Sequence, residues 1–344
     1  MKEQFSTKEI LNTKEIQSRM ENKDGSRDSF TIKLDKDGMP KILVFEDIDK
    51  TLLHLEPTYT EIRKAMWPQA VRRDGIEEFT KVHLDGFRLG TMWRELYRIY
   101  GIYDLGKEEW KDADLFAKQF LAPGMEGEHI DDDGDSKHEF ADTLLKKFDD
   151  IAAETVEKQA RTNPNFFVND IIEPMYKLNT LYKKLGVPVV GMSANPRKFI
   201  EAICKHTGLS SQFLDCATDT DVGGTKEYKM QWLIKRLEEK GLPIPYQNLL
   251  VIGDSPVGDV GSASRFQKLV TGSHPEVSAS GILIVENETD IEIAIKKLVD
   301  ENIGDINIQA FDYKKAPRDK DGNPELFSKG RNAFLTDIDI SKKD

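Results

Sequence analysis

Ile42-Leu-Val-Phe-Glu-Asp47-Ile-Asp49-Lys-Thr51-Leu-Leu53 is the stretch on which the fold turns. Its opening run, residues 42–45, is short and apolar, the pattern of a strand buried on both faces. Two acids spaced two residues apart follow at once, so such a strand would deliver Asp47 and Asp49 together at its carboxyl end. Three more runs read the same way, residues 187–192, 249–252 and 282–285, with 213–217 a weaker fifth. Helical patterns lie between them. Asn195-Pro196 offers an N-cap and a proline at the first helical position, and Phe199, Ile200 and Ile203 keep one face apolar until Gly208. A second helix is predicted from about residue 226 to 240, stopping at Gly241-Leu-Pro243. Strands alternating with helices predict an α/β fold, a parallel sheet covered on both faces and wound right-handed. Ligands in such folds bind at the carboxyl ends of the strands.

The first two predicted strands are separated by roughly 140 residues, where a crossover needs only about a dozen, so a second unit is inserted there. Its patterns are helical. Leu89, Met92, Trp93, Leu96, Ile99 and Tyr100 recur at helical spacing, and so do Phe140, Leu144, Leu145, Phe148, Ile151 and Ala152. Each stripe reads as core. The acidic run Asp131-Asp132-Asp133-Gly134-Asp135 has its glycine misplaced for a calcium loop and no closing glutamate, and it reads as a solvated loop. Residues 1–30 are a polar arm, with one short helix expected around residues 8–20. The resulting scheme is an arm (1–30), an α/β core (31–54 and 165–302), a helical insertion (55–164) and a polar extension (303–344). The extension repeats an Asp-Ile-Asp at Asp337 to Asp339 without a long apolar strand before it, and Phe327, Phe334 and Leu335 are its candidates for packing on the core.

Composition narrows the function classes. The chain has 344 residues, 38% of them hydrophobic, enough for a sizeable core. Acidic residues outnumber basic ones by 61 to 49, a formal net charge of -12 with no basic block, which argues against a nucleic-acid binder. No run of eighteen apolar residues marks a membrane span. Two cysteines, Cys204 and Cys216, are too few for a disulfide framework and read as partly buried thiols in a reducing compartment. The expectation is a soluble cytoplasmic protein of open oligomeric state.

Four strand-end groups carry chemistry. Asp47 can attack a phosphorus atom, because an aspartyl-phosphate is labile enough for water to split it in a second step, and Asp49 can move the protons. Ser193, in Val189-Val-Gly-Met-Ser193-Ala-Asn195, sits before a helix N-terminus, where hydroxyl and backbone N–H groups can hold phosphate oxygens. Lys229, with Lys226 one turn earlier, can balance charge. Gly253-Asp254, followed by Asp259, places another acid at another strand end, as Mg2+ requires. Taken singly, each has a plainer reading: an acidic turn, a capped helix, a solvated lysine, a Gly-Asp turn.

In this order the four segments resemble the motif set of the haloacid dehalogenase-like (HAD) hydrolases: Asp47-Ile-Asp49-Lys-Thr51, then Ser193, then Lys229, then Gly253-Asp254 with Asp259. Lys229 is preferred to Lys226 because its position 25 residues before Asp254 is similar to the family's spacing. The resemblance covers residues 40–54 and 165–300, and it implies a Rossmann-like core with a helical cap inserted at 55–164. It implies that Asp47 is phosphorylated, that Asp49 is acid and base, and that Lys229 is the cation. It further implies that Ser193, Ala194 and Thr51 hold the substrate phosphate, and that Asp47, Asp49 (through its carbonyl) and Asp254 hold Mg2+. Asp259 would support the metal shell or the lysine. Lys50 stands where many members carry glycine. Aspartate at position 49 favours phosphatases and phosphotransferases over dehalogenases. The expected activity is a Mg2+-dependent phosphatase acting on a small phosphorylated metabolite. The alternatives are a phosphotransferase or mutase using the same intermediate, and a catalytically silent binding protein. Lys64, Arg88 and Arg94 are the cationic candidates in the cap.

Overall fold

The structure is a computed structural model, and it describes residues 15–21, 27–66, 103–104, 109–110, 136–163, 166–167, 171–312, 314 and 335–337. The chain enters through β1 (Glu15–Glu21) and β2 (Arg27–Lys33), then β3 (Leu43–Asp47) and α1 (Glu56–Met66). A two-residue ladder, β4 (Tyr103–Asp104) with β5 (Glu109–Trp110), precedes α2 (Ser136–Thr162). Alternation follows: α3 (Glu173–Leu185), β6 (Val189–Met192), α4 (Arg197–Thr207), β7 (Cys216–Ala217), α5 (Lys226–Glu239) and β8 (Leu249–Gly253). Then come α6 (Gly261–Val270), β9 (Ala279–Val285), α7 (Glu288–Asp300), β10 (Asn307–Asp312) and β11 (Leu335–Asp337).

Among the described residues, seven strands form the main sheet in the order β11-β10-β9-β8-β3-β6-β7. Every pairing from β10 to β7 is parallel, and only the β10–β11 pair is antiparallel. This is the expected α/β sheet, with the strand carrying Asp47 at its interior. The apolar runs are continuous because both faces are covered. Val44, Val189 and Leu250 pack into one hydrophobic cluster. Their sheet neighbours Leu43, Phe45, Val190 and Val251 pack into the other, on the opposite face. Helix α4 ends where expected, at Gly208 with φ 73°.

Three expectations need correction. Residues 15–20, expected within a helix, belong to a strand, β1, paired antiparallel with β2. The pairing prevails because β2 leads directly into the core: Ile32 and Leu34 are buried, and the Lys33 N–H donates to the Gly186 carbonyl at 3.0 Å. Residues 303–344, read as a polar extension, contribute β10 and β11 to the main sheet. Ile308, Ala310 and Phe311 of β10 are buried. Its polar-interrupted sequence, Asn-Ile-Gln-Ala-Phe-Asp, hid it from a search for apolar runs. Asn195 is not the N-cap of α4, a place taken by Pro196.

The expected boundary at residue 164 is not a packing boundary. Phe148, Ala152, Val156 and Ala160 of α2 are buried in the same cluster as Val44, and Phe148 meets Phe199 of α4 edge-on at 6.2 Å between ring centroids. The Asp149 Oδ1 accepts the Phe199 N–H at 2.8 Å, capping α4 from a distant helix. Residues 89–100 and 131–135, with Arg88, Arg94, Phe327 and Phe334, lie outside the described residues. Among the described residues, no helix is long and apolar enough to cross a membrane.

Candidate active site

Parallel strands that end in register bring the acids together. Asp47, the last residue of β3, lies opposite Met192, the last of β6, so Ser193 follows beside it. On the other flank Glu46 lies opposite Ile252, and Gly253-Asp254 emerges next to Asp47. Asp47, Asp254 and Asp259 each offer a carboxylate oxygen, and these oxygens lie within 4.8 Å of one another. Asp47 and Asp259 are buried, while Asp254 is partly exposed.

Lys226, the first residue of α5, bridges two of these acids by donating from Nζ to Asp47 Oδ1 and Asp259 Oδ1. Asp47 Oδ2 accepts from the Thr51 hydroxyl at 3.4 Å. Asp259 is fixed by the Ser255 N–H, which donates to its Oδ2 at 3.0 Å. Gly253 is required for this arrangement, since a Cβ there would collide with the Asp259 side chain.

Three carboxylates therefore cluster at a place where one ammonium pairs with two of them. Burial pushes Asp47 up to about 7, with the Lys226 ammonium opposing the shift and Asp259 adding to it. Burial also holds Asp254 well above the ordinary carboxylate range, with Asp259, Asp47 and Asp49 adding to it. Burial alone would lower Lys226, but Asp259 and Asp47 raise it above the usual ammonium value, so it stays charged. This surplus of negative charge is what a bound dication would relieve. The donor set is entirely hard oxygen, partly open at Asp254, and it fits Mg2+.

Asp49 faces a different neighbourhood. Its Oδ2 accepts from the Tyr59 hydroxyl at 2.9 Å, and its Oδ1 is buried without a hydrogen-bond partner. Burial pushes it up to about 6, against the Tyr59 hydrogen bond. Asn195 Nδ2 donates to the same Tyr59 oxygen at 2.7 Å, and the Asn195 N–H donates to Ser193 Oγ at 3.0 Å. Lys50, directly after Asp49, has φ 56°, the left-handed region that favours glycine. Behind the site, Glu46 is fully buried on β3, accepts from Asn179 Nδ2, and is pushed up to about 8 by burial.

Four features differ from the sequence expectation. Lys229 is not beside Asp47. It is 1% exposed, and its Nζ donates to Asp219 Oδ1 at 2.9 Å and to the Gly224 carbonyl at 3.2 Å. Helix α5 begins at residue 226, so the earlier lysine lies nearest the carboxyl edge and the later one is buried under the loop that precedes it. Asp259 contributes a third carboxylate to the acidic cluster, whereas the Asp49 side chain is outside it. Tyr59 and Asn195 escaped the sequence reading: Asn195 passed for a helix cap, and Tyr59 lies in the inserted segment. Their one signal is position, since Asn195 sits two residues past Ser193 and α1 follows closely on the Asp-x-Asp turn. Ser193 is buried and Thr51 adjoins Asp47, while Ala194 is exposed between Ser193 and Asn195. Lys64 is exposed on α1 and pairs with Glu61 at 2.6 Å.

A family model described as haloacid dehalogenase-like hydrolase matches residues 41–267. The search of curated proteins returned no match. Among solved structures, the chain is similar to a HAD phosphatase from Thermococcus onnurineus, with 20% identity, coverage of 72% of this chain and 87% of that one, and a TM-score of 0.41. It is also similar to a β-phosphoglucomutase from Clostridium difficile, with 15% identity, coverage of 75% and 89%, and a TM-score of 0.43.

Proposed function

The chain belongs to the haloacid dehalogenase-like hydrolases, and from that membership we propose that it is a Mg2+-dependent phosphatase working through an aspartyl-phosphate on Asp47. The observation that carries this reading is the placement of Asp47 at a strand end, buried, paired with Lys226 and within 4.8 Å of two further carboxylates. In the first step the Asp47 carboxylate attacks phosphorus, the ester P–O bond breaks, and Asp49 protonates the departing oxygen. In the second step Asp49 takes a proton from water, which attacks the aspartyl-phosphate and releases inorganic phosphate with Asp47 regenerated. Lys226 takes the charge-balancing role that spacing had given to Lys229. The Ser193 and Thr51 hydroxyls, with the backbone at Ala194, hold phosphate oxygens. Asp47, Asp254 and the Asp49 carbonyl, supported by Asp259, would hold Mg2+, which when bound neutralises charge on the phosphate oxygens.

Residues 55–164 are assigned the role of a cap that screens substrates by size, which favours a small phosphorylated metabolite. Cys204 and Cys216 are both free thiols, in keeping with a cytoplasmic setting. A panel of phosphorylated metabolites assayed with Mg2+ tests the reading. Wild type should release inorganic phosphate, and Asp47→Asn should lose about a hundredfold or more, as removal of a nucleophile demands. Equal release by both proteins would reject the nucleophile. Turnover only after addition of a sugar or nucleoside acceptor would move the assignment to phosphoryl transfer.

A further inference from the structure

Resting on the phosphatase reading, we infer that Tyr59, oriented by Asn195, is a positioning residue that reserves one oxygen of Asp49 for proton transfer. The direction of the hydrogen-bond chain carries the argument. A phenol has a single O–H, and here it donates to Asp49 Oδ2 at 2.9 Å. The Tyr59 oxygen can then only accept from its other neighbour, which sets the Asn195 amide with its N–H2 toward the phenol, at 2.7 Å. The chain runs one way, from Asn195 through Tyr59 to Asp49. Oδ2 is thereby an acceptor whether or not Asp49 carries a proton, and Oδ1, buried and without a partner, is left as the oxygen that carries it.

The ring is held so that this direction persists. Tyr59 lies in the first turn of α1, its N–H donates to the Leu55 carbonyl at 2.9 Å, and its ring packs against Phe199 at 5.8 Å between centroids. Asn195 is tied in turn by its own N–H to Ser193 Oγ at 3.0 Å and by its carbonyl to the Asp219 N–H at 3.1 Å. Three separate segments thus converge on one carboxylate. In the first half-reaction the Oδ1–H bond breaks, and its proton joins the leaving oxygen as the ester P–O bond breaks and the Asp47–phosphorus bond forms. In the second, the attacking water gives its proton to Oδ1 while the Asp47–phosphorus bond breaks. Without the Tyr59 hydroxyl the two oxygens become equivalent, and the carboxyl group can rotate away from the substrate.

Leaving-group dependence tests this. An alkyl phosphate needs its departing oxygen protonated, whereas p-nitrophenyl phosphate does not, so kcat/KM on the two esters separates acid positioning from general damage. Tyr59→Phe removes one hydroxyl and keeps the ring. It should lower kcat/KM on the alkyl ester about tenfold or more, the scale of one hydrogen bond to a charged group, and on the aryl ester less than about twofold. Mg2+ affinity by calorimetry should not change. In the Asp49→Asn background Tyr59→Phe should cost nothing further on the alkyl ester, and Asn195→Ala should show a weaker version of the same ester selectivity. Equal losses on both esters, or additive losses with Asp49→Asn, overturn the inference while leaving the phosphatase intact. Full activity of Asp47→Asn overturns the phosphatase reading itself, and the inference with it.

Discussion

Lys226 and Lys229 stand one helical turn apart, and they pair with different acids. Lys226 bridges Asp47 and Asp259 at the carboxyl edge, while Lys229 pairs with Asp219 and holds the Gly224 carbonyl beneath the loop that leads to Lys226. Removing them should therefore fail in different ways. Lys226→Met is expected to lower kcat about a hundredfold, the scale seen when one preorganised charge is lost from a transition state. Lys229→Met is expected to destabilise the protein by about 3 kcal/mol, the scale for orphaning one partner of a buried pair, and to slow turnover far less. Kinetics and urea unfolding of the two variants, side by side, check this. A reversed pattern would return the catalytic cation to Lys229. Sequence spacing to Asp254 pointed to Lys229, because it does not carry the deciding fact, which is where α5 begins. Lys50 was legible as a departure from glycine, and its φ of 56° gives the physical meaning of that departure: a side chain held where glycine is favoured.

At the scale of elements, strands buried on both faces were the legible ones. β3, β6 and β8 read as apolar runs because every residue in them is buried. β1 and β10 were missed because pairing, and not composition, makes them strands. β7 shrinks to two residues at the sheet edge and depends on a side-chain clasp. Asp215, just before it, accepts from Arg236 Nε and Lys240 Nζ, each at 2.8 Å, which ties the edge to α5, the helix that presents Lys226. Burial alone would raise the Asp215 carboxyl, but hydrogen bonds from Lys240 and Arg236 hold it below its ordinary value. A carboxyl depressed in the folded state adds stability that is present above its unfolded pKa and is lost as pH falls through the folded value. Asp215→Asn should thus cost about 1 to 2 kcal/mol at neutral pH, since the half-exposed cationic heads keep each pair near or below about 1 kcal/mol. That cost should shrink toward pH 3. Urea midpoints at the two pH values report it, and an identical gap at both would show that the charge contributes nothing.

For the whole molecule, the site was legible where it depends on strand ends and illegible where it depends on which helix folds back over them. Asp47, Ser193 and Asp254 follow from register alone. Tyr59, Asn195 and the choice of lysine come from tertiary packing between segments up to 179 residues apart. The same contrast decides the C-terminal region, which was read as a polar extension packing on the core through a few apolar side chains. β10 runs parallel to β9 along its full length, from Asn307 opposite Ser280 to Asp312 opposite Val285. Ile308 and Ala310 pack with Leu283, Val285 and Leu298, while Phe311 joins the larger cluster on the other face. Burying Ile308 and Phe311 is worth about 1.5 to 3 kcal/mol each, and deleting β10 would also uncover the β9 backbone as an edge. Against a domain stability of about 5 to 15 kcal/mol, a chain ending at Ile303 should lose cooperative unfolding or aggregate on expression. A chain ending at Lys314 keeps β10 and gives up only the three-residue antiparallel strand β11 among the described elements. It should stay folded with a modest drop in Tm. Thermal melts and size-exclusion profiles of the two truncations distinguish a structural strand from a tail: if the shorter chain melts like the full-length protein, β10 contributes nothing to the core.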